Sequence, residues 1–363
     1  MRYPVASTMV LGYSSEVACS YTNMGAMLQM LVAFTFSNSP RGAIGRTTDT
    51  HIPCAHTPHL DPVNQNATLH VLASETPPYA LCLRQHQYLD NIVRKMGHWP
   101  DCDALRRLIA HDRGVFVDVG ANIGACSMMM ASLGHRVVSF EPTPPTFVAL
   151  AAALAGNAPN PLWDVRLVNA GVSNASGTAT IFSQPGNAGG SLTTGVGGAS
   201  REQVADLKTR SCSKGRRVPG CINGIRAHAV TQSWATYQIR LTTLDDEVRG
   251  LGPVDLMKLD CQGHEFRALL GASQLLVSPG VRVIKFEFYP IGLRQVGDEP
   301  AAILRLLHAA GYELHTRKSR IEPTEEAYQQ LERTVNFMSP GGTDVVARKA
   351  RRHVRERGVN GEV

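Results

Sequence analysis

Four carboxylates and two glycines sit where they could do chemistry. Asp118 lies in the apolar run VFVDV, and Gly120 and Gly124 bracket the turn GANIG that follows it. Glu141 closes a second apolar run, VVSFE, 21 residues after Gly120. Asp260 ends a third run, VDLMKLD, and Glu265 comes after the intervening CQGH. Glycine permits positive φ and lets the backbone approach a ligand closely. A carboxylate ending the next strand can accept hydrogen bonds from both hydroxyls of a ribose. Gly120, Ala121, Asn122, Gly124 and Glu141 are therefore predicted to hold a nucleotide-like group. Asn169, ending the run VRLVN, is expected at the same edge and would border the base.

Two ligand classes fit this pattern. A dinucleotide prefers G-x-G-x-x-G, which delivers a pyrophosphate to a helix N-terminus. Here the spacing is G-x-x-x-G, with Asp118 two residues before the first glycine. A carboxylate there would repel a pyrophosphate but suit an ammonium. S-adenosylmethionine carries an ammonium, a sulfonium and a ribose, and no phosphate, so Asp118 tilts the choice toward it. An NAD-dependent oxidoreductase is the weaker alternative. A catalytically silent module with the same fold, recruiting a partner through its basic tail and long loop, is a third.

Transfer of a methyl group from a sulfonium to an alcohol needs alignment and a nearby base. By position Asp260, His264 and Glu265 are the candidates. His264 has the best unperturbed pKa for that role. Glu265 would also fall in a first helical turn, where a carboxylate complements the helix dipole. Lys258, inside a buried strand, needs a carboxylate partner. Glu287, in IKFEFYP, is either that partner or an acid facing substrate. No metal is expected, since neither C-x-x-C pairs nor H-E-x-x-H occur.

These residues need strand ends to hold them. The predicted strands are Val115–Val119, Arg136–Phe140, Val165–Ala170, Val254–Leu259 and Val281–Phe288, with Tyr312–Thr316 and Asp344–Arg348 closing the chain. Predicted helices cover Ile123–Leu133, Thr146–Ala155, Glu265–Leu276 and Glu299–Ala310, preceded by Tyr79–Lys95 and Asp103–His111. Short apolar runs alternating with helices imply βαβ units and a largely parallel sheet covered on both faces. Residues 183–240, rich in Gly, Ser and Thr and then basic, read as a long loop insertion beside the site. The domain is expected over 76–349, after a poorly structured extension at 1–75 and before a basic tail at 350–363.

The chain has 363 residues, 43% hydrophobic and 18% charged, which suits a soluble globular fold. Its net charge of +6 is concentrated near the end, where Ala347 to Gly358 carries six Lys/Arg against one Glu. Aromatics are only 6%. A nucleic-acid enzyme would show a basic surface interleaved with aromatics, so no nucleic-acid partner is expected. Met24 to Phe36 is too short for a comfortable membrane span of roughly 20 residues. It suits a secretory signal or signal-anchor, or part of a transit peptide, within residues 1–45. Of the eight cysteines, Cys126 and Cys261 are expected as buried thiols, while Cys212 and Cys221 could form a disulfide in a secreted chain. Asn66 and Asn174 match the glycosylation pattern.

The motifs FVDVGANIG, VVSFEPTPPTFVAL, LVNAGVSNASGTATI, LTTLDDEV and DLMKLDCQGHEFRALLGA, in that order, resemble the FkbM-type methyltransferase family over roughly 97–349. The resemblance implies a class I fold of the Rossmann-like α/β type, with a seven-stranded, mostly parallel sheet and helices on both faces. It implies S-adenosyl-L-methionine as cofactor and O-methylation of a hydroxyl on a small-molecule or glycan-like acceptor. Gln262 stands where such chains more often carry Glu.

Overall fold

The computed structural model describes residues 48–53, 67–72, 75, 77–110, 112–157, 162–184, 187–195, 235–277, 280–338 and 342–350. The first elements are strands β1 (Thr48–Pro53), β2 (Thr68–Leu72) and β3 (Tyr79–Leu83), paired antiparallel in a small sheet. Helices α1 (Tyr88–Met96) and α2 (Pro100–Arg106) follow. The segment expected to be a helix over Tyr79–Lys95 is thus a strand, a turn and a helix. The cause is the run YALCL, which is buried along its whole length. A short apolar run has no periodicity to distinguish buried strand from buried helix. Its partner β2 lies within 1–75, so that segment contributes strands to the fold. The helix expected at Asp103–His111 starts earlier, with Pro100 in its first turn, where proline's missing N–H costs nothing.

The βα alternation then runs as expected: β4 (Val115–Val119), α3 (Ala125–Ser132), β5 (Arg136–Phe140), α4 (Pro144–Asn157) and β6 (Val165–Val168). Next come β7 (Gly171–Val172), β8 (Gly177–Gln184), β9 (Asn187–Gly195) and β10 (Ala235–Thr242), which form a second sheet in the order β7-β10-β8-β9. The predicted insertion at 183–240 therefore includes strand at both ends, while residues 196–234 lie outside the described residues. The second half contains α5 (Leu244–Glu247), β11 (Val254–Leu259), α6 (Glu265–Leu270), β12 (Val281–Phe288), α7 (Pro290–Gln295) and α8 (Pro300–Ala309). It closes with β13 (Tyr312–His315), β14 (Arg320–Ile321), α9 (Glu325–Met338) and β15 (Thr343–Lys349). Helix α6 stops at Leu270, short of the expected Leu276. At Gly271 an added Cβ would lie 2.1 Å from the carbonyl oxygen of Ser173, so the backbone there packs too closely for a side chain.

The main sheet has the order β14-β13-β15-β12-β11-β4-β5-β6. That is eight strands rather than the expected seven, the extra one being the two-residue edge strand β14. From β12 to β6 the strands are parallel, and β15 runs antiparallel between β12 and β13. The alternating side chains divide the core in two. On one face Phe116, Val137, Leu256 and Val283 pack with α3, α4 and the small sheet. On the other Val117, Phe140, Met257 and Phe286 pack with α6, α8 and α9. Successive connections leave β4 toward β5 and β6, then return to β11 on its other side. The order reverses between β4 and β11, which is where open α/β sheets bind ligands.

Candidate active site

Gly120 lies at this reversal and has φ +80°. A Cβ there would lie 1.9 Å from the carbonyl oxygen of Asp260, so only glycine lets the ends of β4 and β11 come this close. The amides of Gly120 and Ala121 both donate to the Phe140 carbonyl at the end of β5, at 3.0 and 2.9 Å. Asn122 takes φ +52°, which turns its N–H toward Glu141 Oε2 at 3.0 Å. Glu141 Oε1 accepts from the Thr143 amide at 2.8 Å. Burial pushes the Glu141 carboxyl above its ordinary pKa, against the opposing pull of these amides and of Arg84. Gly124, also at positive φ, begins α3 beneath Leu150. The Asn169 side chain donates to the carbonyls of Glu141 and Pro142, at 2.8 and 3.3 Å, so it braces the segment that carries Glu141.

Asp118 lies beneath the turn and is fully buried. Its Oδ1 accepts from Lys258 Nζ at 3.1 Å and its Oδ2 from Ser127 Oγ at 2.7 Å, with Ser139 behind. The carboxylate expected to face an ammonium is thus occupied by the protein itself. Lys258 has the carboxylate partner its position demanded. It also donates to the Gly120 carbonyl at 3.1 Å and stands 3.6 Å from Asp260 Oδ2. Burial opposes its charge, but Asp118 and Asp260 outweigh that cost and raise its pKa above the ordinary value. Glu287 is not its partner: Glu287 Oε2 accepts from Gln262 Nε2 at 3.2 Å.

The second loop separates the three candidate bases. Glu265 is fully buried, and its carboxylate accepts the amides of Cys261 (2.9 Å) and Gly263 (3.2 and 3.0 Å). It ties its own loop closed, and burial raises its pKa to about 7. His264 is partly buried, and desolvation lowers its pKa to about 4. The Asp260 side chain is 40% exposed, with Oδ1 accepting from Gln262 Nε2 at 3.1 Å. Gln262, at φ +55°, thus bridges Asp260 and Glu287. Burial and the neighbouring acids Asp260, Glu265 and Asp344 raise Glu287 to about 9.

Arg84 was not singled out from the sequence, and no local motif marks it. Just after β3, it is buried against Asp90, with bonds of 3.1 and 3.0 Å, and against Thr146 at 3.0 Å. A buried disulfide joins Cys102 of α2 to Cys126 of α3, correcting the expectation of a free Cys126 thiol. Cys261 is a free thiol, as expected, but half-buried rather than buried, and Cys82 is disulfide-bonded. Cys212 and Cys221 lie outside the described residues. Among the described residues no cluster of metal ligands occurs, and no helix is long and apolar enough to cross a membrane.

The chain is 29% identical over 229 residues to the AMB antimetabolite synthetase AmbE of Pseudomonas aeruginosa. That match covers 59% of this chain and 10% of AmbE, so the chain spans about a tenth of that relative's length. Among solved structures, a candidate rRNA methylase of Clostridium thermocellum is similar at 13% identity and TM-score 0.35, over 69% of this chain and 94% of that one. An rRNA methylase of Streptococcus thermophilus is similar at 12% identity and TM-score 0.31, over 69% and 95%. The pattern of the methyltransferase FkbM domain matches residues 118–314, from the buried Asp118 to strand β13, and this is more than half of the sequence. The chain belongs to the FkbM methyltransferase family.

Proposed function

We propose that the chain is an S-adenosylmethionine-dependent O-methyltransferase acting on a hydroxyl of a small-molecule or glycan-like acceptor. The observation that carries this reading is Glu141 beside the Gly120–Gly124 turn at the sheet's reversal point. Each Glu141 oxygen accepts one backbone amide, and the Thr143 side chain adds a third contact to the same carboxylate. Of the roughly four acceptor positions of a carboxylate, one stays free for a ribose hydroxyl, and the Thr143 hydroxyl can yield its place to the second. The turn and Glu141 would hold the nucleoside, with Asn169 bracing Glu141 and the Asp118–Lys258 pair supporting the turn from below. The cofactor, when bound, supplies a methyl group already activated by a sulfonium.

Asp260 is the proton acceptor this arrangement favours. Glu265 is committed to its own loop. His264, lowered to about 4, has lost the imidazole's usual advantage as a base over an ordinary carboxylate at about 3.9. Asp260 is accessible and oriented by Gln262 and Lys258. Glu287, raised to about 9, holds a proton at neutral pH and can donate a hydrogen bond beside it. An acceptor with adjacent hydroxyls suits such an acceptor–donor pair. AmbE is by name an antimetabolite synthetase, which agrees with a small acceptor. The Cys102–Cys126 disulfide supports folding in an oxidising compartment and thus the secretory reading of the N-terminal segment.

Calorimetric titration of the full chain with S-adenosylmethionine and with NAD tests the cofactor. Micromolar binding of the first alone is expected, and binding of NAD alone would refute the assignment. Asp260→Asn should then bind the cofactor within a few-fold of wild type and lose most of its turnover. Loss of cofactor binding and folding together would make Asp260 a structural strand-end residue.

A further inference from the structure

Arg84 and Asp90 form a buried ion pair outside the sequence motifs around Gly120 and Asp260, and burying such a pair is costly. Replacing a buried pair with apolar side chains of similar volume is often neutral or stabilising. Its location suggests what it does. Arg84 and Asp90 are almost wholly buried, at 1% and 0% exposure. The Arg84 fork holds both oxygens of Asp90, and its backbone amide also donates to Asp90 Oδ1 at 2.6 Å. This fixes the guanidinium plane. From that anchor Nη1 donates to Thr146 Oγ1 at 3.0 Å, in the first turns of α4. Nη2 reaches Asn122 Oδ1 at 3.5 Å. Asn122 is the non-glycine residue at φ +52° whose amide donates to Glu141. One guanidinium thus spans the two segments that hold Glu141: the turn before it and the helix after it.

We infer that Arg84, held by Asp90, is a positioning residue for the cofactor site, setting Asn122 and Glu141 so that the Glu141 carboxylate can receive a ribose. This rests on the cofactor reading above. The electrostatics agree, because the Arg84 charge favours the ionised form of Glu141 against burial. Arg84, just after β3, is the charged group acting on Glu141, and Asp90 of α1 holds it in place, while the Asn122 amide and the Thr143 amide and side chain supply the other contacts.

The test uses the full chain in two variants. Arg84→Met/Asp90→Leu removes both charges together, so neither is left buried alone, and thermal unfolding reports whether it stays folded. Hydrogen exchange of the 120–124 amides without ligand should rise in this variant. Its S-adenosylmethionine affinity should fall about tenfold, the value of one charge-assisted hydrogen bond. The pH midpoint for binding should move upward, because Glu141 loses its cation. Arg84→Lys keeps the charge but not the fork; its affinity should fall several-fold with the pH midpoint unmoved. Unchanged exchange and affinity in either folded variant would overturn the proposal. A wild-type chain that binds no S-adenosylmethionine would instead overturn the cofactor reading, and the exchange measurement tells the two failures apart.

Discussion

Lys258→Met is the sharpest test of how the site is supported. Lys258 is 6% exposed and lies between Asp118, Asp260 and the Gly120 carbonyl. Methionine matches its length and removes its charge. Asp118 would then keep only the Ser127 hydroxyl. Breaking a buried ion pair from one side costs about 3–5 kcal/mol. The Ser127 bond places the cost near the lower end, and the lost bond to the Gly120 carbonyl adds about 1 kcal/mol. The expected loss is therefore about 4 kcal/mol, a large share of the ~5–15 kcal/mol that holds a typical domain.

Urea unfolding at pH 7, followed by circular dichroism, measures this loss. The ammonium pKa is raised, so the contribution is fully present below the unfolded lysine value of about 10.4 and is lost as pH rises through the folded one. The companion Asp118→Asn/Lys258→Met removes both charges. It should be more stable than Lys258→Met alone, because no carboxylate is left stranded. A Lys258→Met variant within about 1 kcal/mol of wild type, or a double variant no better than it, would refute the reasoning.

Three further outcomes follow from the same geometry. Glu141→Ala should weaken S-adenosylmethionine binding by roughly 1.5–3 kcal/mol, the worth of charge-assisted bonds; calorimetry checks this, and unchanged affinity would remove Glu141 from the site. Glu265 and Glu287, raised to about 7 and about 9, keep protons in the fold that the unfolded chain has already released, so stability should fall as pH rises toward 9. His264 opposes this only between about pH 4 and 6.5, so urea titrations from pH 6.5 to 9 isolate the carboxyls, and Glu287→Gln should flatten the decline above pH 7. Cys102→Ala/Cys126→Ala should cost about 3.5 kcal/mol, the closure entropy of a loop with sequence separation 24, and thermal unfolding of the variant in oxidising buffer reads it directly.

The parts of the fold read correctly from sequence are those where a local pattern carries the information. Strands β4, β5, β11 and β12 are short apolar runs ending in a turn, and each lies where it was expected. The Gly120 turn and Glu141 were legible because glycine spacing and the distance to the next strand end are linear quantities. Strand β3 was not legible, because its identity depends on β2, which belongs to a compositionally different stretch. Arg84 was missed for the same reason: its partners Thr146 and Asn122 lie 62 and 38 residues away.

The direction in which each carboxylate points is a further problem that spacing alone does not solve. A tight turn at a strand end leaves backbone amides without strand partners, and buried amides must find an acceptor. Asp and Glu a few residues away compete for that role as well as for a ligand. Glu265 turns inward because the loop, with Gln262 and Gly263 both at positive φ, aims the Cys261 and Gly263 amides at it. Asp118 turns inward because Lys258 shares its register on the neighbouring strand and points to the same face. Asp260 lies one residue past the end of β11 and donates its amide to Val119, while its carboxylate meets two side chains, Gln262 Nε2 and Lys258 Nζ. Of the three acids read from the sequence around the β4–β11 reversal, Asp260 is thus the one whose carboxylate stays partly exposed. That exposure, rather than its position in the motif, is the reason to look for the transferred proton there.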